Sequence, residues 1–133
     1  MTGAVDQHGR VHAVGGVTTK VEGFFAVCRA RGLAGDQGVA IPRANVPHLM
    51  VADEVAAAVT AGDFHIWAVE HVDEGIELLT GHPAGARGSD GAYPEGSVHR
   101  RVEERLHEYA KRFRAFSPDM PDGARGIPGA QRA

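Results

Sequence analysis

Gly15-Gly16-Val17-Thr18-Thr19-Lys20-Val21-Glu22-Gly23-Phe24-Phe25-Ala26-Val27-Cys28-Arg29-Ala30-Arg31 is the stretch on which the reading of this chain turns. The glycine pair breaks an extended run, and from Val17 onward apolar residues recur at helical spacing. A helix is predicted from Val17 to about Arg31, closed by Gly32 and Gly35. At about 100° per residue, Val17, Val21, Phe24, Phe25 and Cys28 form one apolar arc with Val27 at its edge. Thr18, Thr19, Glu22 and Arg29 fall on the opposite side. Lys20 falls inside the apolar arc, in the first turn. Burial and the positive end of the helix dipole both favour the neutral amine there. Two readings stand on the wheel alone: a lysine that snorkels to solvent, or an amine set up as a general base. Arg31 shares that side, but in the last turn, where a cation suits the dipole.

Working outward toward the N-terminus, Thr2–Val5 and Val11–Val14 are short extended runs. They flank Asp6-Gln7-His8-Gly9-Arg10, whose glycine supports a hairpin. Toward the C-terminus, Gly38–Ile41 reads as a short buried strand stopped by Pro42, and Arg43–Met50 as a loop. Ala52–Ala61 reads as a helix with Asp53 and Glu54 at its start, Phe64–Val69 as a strand, and Val72–Leu79 as a short helix. Alternating strands and helices predict an α/β (α+β) chain with parallel strands: an N-terminal hairpin, then βαβαβα. His82–Gly96 is a Gly- and Pro-rich loop. Ser97 is placed to cap a last helix reaching Phe116, with an apolar stripe at Val98, Val102, Leu106, Tyr109, Phe113 and Phe116. That helix mixes six basic with three acidic residues, read as a solvated face whose stripe packs on the domain or on a neighbouring subunit. Residues 117–133 are poor in large apolar residues and are expected to be a disordered tail.

With 133 residues, 43% of them apolar, a single domain with a real core is expected. A net charge of −3 argues against nucleic acid as a partner. The single cysteine, Cys28, allows no internal disulfide and reads as a small buried hydrophobe. No apolar run approaches the ~20 residues of a membrane span, and Met1–Arg10 lacks the features of a signal peptide. A cytoplasmic location and no membrane partner are therefore expected. Eight histidines invite a metal, but His8 and His12, four apart, fall in a hairpin rather than on a helix, the others do not cluster, and no metal is expected.

The runs Thr2-Gly3-Ala4-Val5-Asp6-Gln7-His8-Gly9-Arg10-Val11 and Val14-Gly15-Gly16-Val17-Thr18-Thr19-Lys20-Val21-Glu22-Gly23-Phe24-Phe25 resemble the Lon-type proteolytic domain. The likeness is greatest to the bacterial Lon-like branch with Lys-(Val/Ile)-Glu-Gly-Phe-Phe. It continues through Gly38–Pro42, Asn45, Phe64–Val69, Val72–Thr80 and Pro94–Val98. The resemblance implies a Ser–Lys dyad peptidase. Lys20, four positions after the glycine pair, would take the serine's proton, the serine would form an acyl-enzyme, and water would release it. Thr2, of the Thr-Gly strand, would hold the amine. Asn45 is read as shaping its loop rather than catalysing.

The chain departs from the family in its serines. Ser89, Ser97 and Ser117 all follow Leu79, and none stands in the family's Gly-Pro-Ser-Ala or Gly-Asp-Ser-Ala motif. No phosphate-binding Gly-x-x-x-x-Gly-Lys-(Ser/Thr) loop is present. The resemblance thus implies a partial proteolytic domain over residues 1–116, its serine-bearing N-terminal part missing. This chain would hold no cofactor, and ATP and Mg would belong to an upstream ATPase module. Unfolded or tagged proteins would be the substrates, and a homo-oligomer, commonly a hexameric ring, the assembly. The alternative is a catalytically inactive binding or assembly module on the same fold.

Overall fold

The computed structural model describes residues 1–116; the tail expected at 117–133, with Ser117, lies outside them. Elements run β1 (Ala4–Val5), β2 (Val11–His12), α1 (Val17–Arg31), β3 (Gly38–Pro42), a 3-10 helix (Arg43–His48), α2 (Asp53–Ala61), β4 (His65–Val69), α3 (Val72–Thr80) and α4 (Val98–Phe116). The chain is mixed α/β, as expected. One stretch differs: Arg43–His48 winds into a 3-10 helix where a loop was read. Pro42 leads into it in extended geometry, and Pro47 lies inside it.

The parallel layer is narrower than the alternating pattern suggests. β3 pairs in parallel with β4, from Gly38 opposite His65 to Pro42 opposite Val69. β1 and β2 form a separate antiparallel hairpin, with Ala4 opposite His12. A few hydrogen bonds, two of them in an antiparallel bridge between Arg10 and His71, fasten the hairpin to the layer. Thr2 N donates to Ala40 O (3.0 Å), and Val11 N to Glu70 O (2.8 Å). The Asp6 carboxylate organises the turn, accepting from the amides of His8 (2.8 Å) and Arg10 (3.0 Å). His12 Nε2 lies 2.8 Å from its other oxygen. The His12 contact and the Arg10 amide hold the Asp6 pKa down at about 2.

One face of α1 closes the core. Val17, Val21, Phe25 and Cys28 are buried with Val39, Ile41, Val55 and Phe64. The Phe25 and Phe64 rings meet edge-on at 5.2 Å and 79°. Full burial of one such side chain stabilises the fold by about 1.5–3 kcal/mol. Asn45 ties the 3-10 helix to the segment after β2, accepting from Val14 N (3.1 Å) and donating to Val14 O (3.0 Å). The loop-shaping role read for it is what the geometry shows.

Ser97 caps α4 as expected, its hydroxyl accepting from Arg100 N (3.2 Å). Val98 N and His99 N donate to the carbonyls of Pro83 (2.9 Å) and Ala84 (3.0 Å). The first-turn amides that a helix cannot satisfy itself are thereby provided for. Beyond that turn the stripe does not pack on the domain, the first of the two partners read for it. The helix has no buried residue, and Leu106 and Phe113 are 60% and 65% exposed.

Candidate functional site

α1 starts at Gly16, whose left-handed backbone (φ 69°, ψ 23°) turns the chain out of the preceding strand. Lys20 N donates to Gly16 O (3.1 Å), so Lys20 stands one turn into the helix. Thr2 is held against β3 by its amide bond to Ala40. Gly3 lets the strand lie this close, since a Cβ there would fall 2.8 Å from Val11 Cγ1 and 3.3 Å from Pro42 Cγ. These constraints bring two residues 18 apart together: Lys20 Nζ donates to Thr2 Oγ1 at 3.2 Å.

The pair opens on a cavity of about 300 Å³, walled by Met1, Phe24, Gly38 and Val39. Gly38 is required by the strand pairing: a side chain there would run into the His65 carbonyl and the Trp67 ring. Among the described residues no carboxylate lies within ion-pair distance of Lys20.

The burial expected for Lys20 is corrected. The residue is exposed, and Phe24 and Val27 beside it are 44% and 50% exposed. The apolar arc is wider than the surface it meets. Val17, Val21, Phe25 and Cys28 take the core, while Lys20, Phe24 and Val27 form a second stripe that the described residues leave largely open.

The serines stand elsewhere. Ser97 is buried, and its hydroxyl donates to Pro94 O at 2.7 Å. Ser89 is exposed in the loop before α4. Neither lines the Lys20 cavity. Several histidines serve local structure. His71 Nδ1 accepts from Asp73 N (3.2 Å), and Glu74 accepts from His71 N (3.1 Å), which caps α3 from both sides. His99 Nε2 reaches Asp73 Oδ1 (2.7 Å). Among the described residues no three His, Cys, Asp or Glu side chains are placed to hold a metal ion. Sequence reading missed the cavity walls at Gly38 and Val39 and the His71–Asp73–His99 chain. The acids opening α3 were the one available signal for the latter.

The fold and site thus define a class: a mixed α/β chain presenting a helix-borne amine, held by a threonine hydroxyl from the segment before β1, to an open cavity. Comparison with known proteins narrows it. The chain is 42% identical over 122 residues to a protein of Haemophilus influenzae, a match spanning 87% of this chain and 20% of that protein. It is 53% identical over 79 residues to a protein of Escherichia coli, spanning 59% of this chain and 14% of the relative. Both carry the description "Putative Lon protease homolog". No protein-family model matches. The chain is therefore related to the Lon-like proteases, as its motifs implied, and spans a fifth or less of the length of these relatives.

Proposed function

We propose that this chain is the lysine-bearing C-terminal part of the proteolytic domain of a Lon-type, ATP-dependent serine endopeptidase. The observation that carries the reading is the Lys20–Thr2 contact at 3.2 Å, opening on the cavity beside Phe24. In this reading the free amine of Lys20 takes the proton of a serine hydroxyl. The serine oxygen attacks the peptide carbonyl, the leaving amine departs with a proton, and water hydrolyses the acyl-enzyme. Thr2 Oγ1 holds the amine in place by accepting one of its hydrogens. The serine, and the ATPase module with its ATP and Mg, come from polypeptide outside this chain. That segment also covers the open stripe of Lys20, Phe24 and Val27. Unfolded or tagged proteins are the substrates, and the assembled enzyme is a homo-oligomeric ring.

Two preparations test this. The 133-residue chain alone hydrolyses no fluorogenic peptide and takes up no serine-directed phosphonate. A protein in which a segment with the family's serine motif precedes Met1 does both. In that protein Lys20→Ala lowers turnover by about 100- to 10,000-fold, the range for losing a general base, and Thr2→Val by about tenfold. Serine-dependent turnover by the short chain, or an active Lys20→Ala protein, sinks the reading. The exposed face of α4 favours a second reading, a binding or assembly module without catalysis. A native product of 14.0 kDa detected in cells would support it; one far larger supports the peptidase.

A further inference from the structure

The apolar stripe of α4 has a different character from the opening beside Lys20. Val102, Leu106, Tyr109, Phe113 and Phe116 follow each other at intervals of four, three, four and three. That is the narrow 3.5-residue seam by which one helix receives another, not the broad face of a helix lying on lipid. All five are exposed, from 49% at Val102 to 90% at Phe116. At about 150–250 Å² per aromatic residue, the seam leaves roughly 500 Å² of apolar surface uncovered. Contiguous patches of that size mark interaction sites. At its N-terminal end the seam runs into a cavity of about 330 Å³, where His99, Val102, Glu103 and Leu106 of α4 face Arg87 and Tyr93, Glu103 being paired with Arg87 (3.1 Å). A bulky apolar side chain would be received there.

Charge selects the occupant. α4 carries six basic and three acidic side chains, a net of +3 (6 − 3); the whole chain is −3, so the rest carries −6. With Leu106 and Phe113 at position a of a heptad, Arg105 and Arg112 take position g, beside the seam. Glu108 is the acid they share: Arg105 Nη1 lies 3.0 Å from one of its oxygens, and Arg112 contacts the other. Two cations on one carboxylate leave this flank positive. A second copy fits poorly. Antiparallel pairing would set Arg105 of one copy against Arg112 of the other, and parallel pairing would leave Arg105 opposite Ala110.

We propose that the exposed seam of α4 is a docking site for an amphipathic partner helix with apolar residues at a and d and with Glu or Asp flanking them. The partner's first large apolar residue enters the cavity between Tyr93 and Leu106, and its acids engage Arg105 and Arg112. The site is independent of the peptidase reading.

The test uses the full 133-residue chain and two synthetic 21-residue helices with Leu and Ile at a and d. One carries Glu at e and g, the other Lys. Fluorescence anisotropy in moderate salt is expected to show the Glu helix binding at least tenfold more tightly. Arg105→Glu with Arg112→Glu reverses the preference, and Leu106→Asp abolishes binding while circular dichroism stays unchanged. Equal affinity for the two helices, or no binding of either, overturns the proposal. So does sedimentation showing self-association that Leu106→Asp removes, which would assign the seam to a second copy. Preferential binding to phosphatidylserine vesicles would assign it to lipid and overturn it equally.

Discussion

α1 and α4 are both amphipathic helices, and the better-patterned one is the one left uncovered. α4 has a regular apolar seam through 19 residues, and none of its residues is buried. α1 is shorter, at 15 residues, with an arc interrupted by Lys20, yet four of its residues lie in the core. The difference lies in what each helix finds opposite it. α1 faces Ile41, Val55 and Phe64, brought against it from β3, α2 and the approach to β4. α4 leaves the domain after its second turn, held there by backbone bonds to Pro83 and Ala84, by the Asp73–His99 contact and by the Arg87–Glu103 ion pair. Periodicity tells which face of a helix calls for burial; it does not tell whether a neighbour supplies it.

The contrast breaks most visibly under truncation. Phe25→Ala removes a ring packed edge-on against Phe64 and should destabilise by about 3–5 kcal/mol, measured by urea unfolding. Phe113→Ala, on the seam of α4, should stay within about 0.5 kcal/mol. A large cost at Phe113 would show that α4 folds back on the domain in solution.

Changes that leave the core alone sharpen the comparison. Asn45→Ala orphans both polar groups of Val14 and should cost about 1–3 kcal/mol. Ser97→Ala should cost about 1 kcal/mol, read as lost helicity with little shift of the core transition, because α4 contributes nothing buried. The smallest effect is expected at Asp6. Its pKa is lowered from 3.8 to about 2. A depressed carboxylate contributes stability that is present above the unfolded pKa and lost as pH falls through the folded one. The hairpin should therefore loosen between about pH 4 and pH 2, and Asp6→Asn should flatten that dependence. Proton-monitored titration of the turn, with amide exchange at His8 and Arg10, checks it.

Much of the architecture was legible because it is written locally. The hairpin, the bounds of α1, the parallel partner strands and the Ser97 cap follow from glycines, alternation and caps within a few residues of each element. The 3-10 helix was not, because a segment containing Pro47 reads as loop whether or not it winds. The Lys20 site was half legible. Lys20 stood out on its wheel, and Thr2 was named through the family resemblance. That the arc divides into a buried and an open half could not be read, because a helical wheel has no knowledge of how wide the opposing surface is.

Sequence alone determined the order of strands and α-helices, the family relationship, and which side chains are available for chemistry: an amine, a hydroxyl, and no serine in the family's motif. Tertiary structure decided that Thr2, pinned to Ala40 and given room by Gly3, meets Lys20 across 18 residues at 3.2 Å. It also decided that Phe24, Val27 and the α4 seam are left exposed by the other described residues. The physical reason is the same in each case. Propensity and capping act over one or two turns of chain, whereas a site or an empty face is set by which distant surfaces are brought together, and by how far they extend.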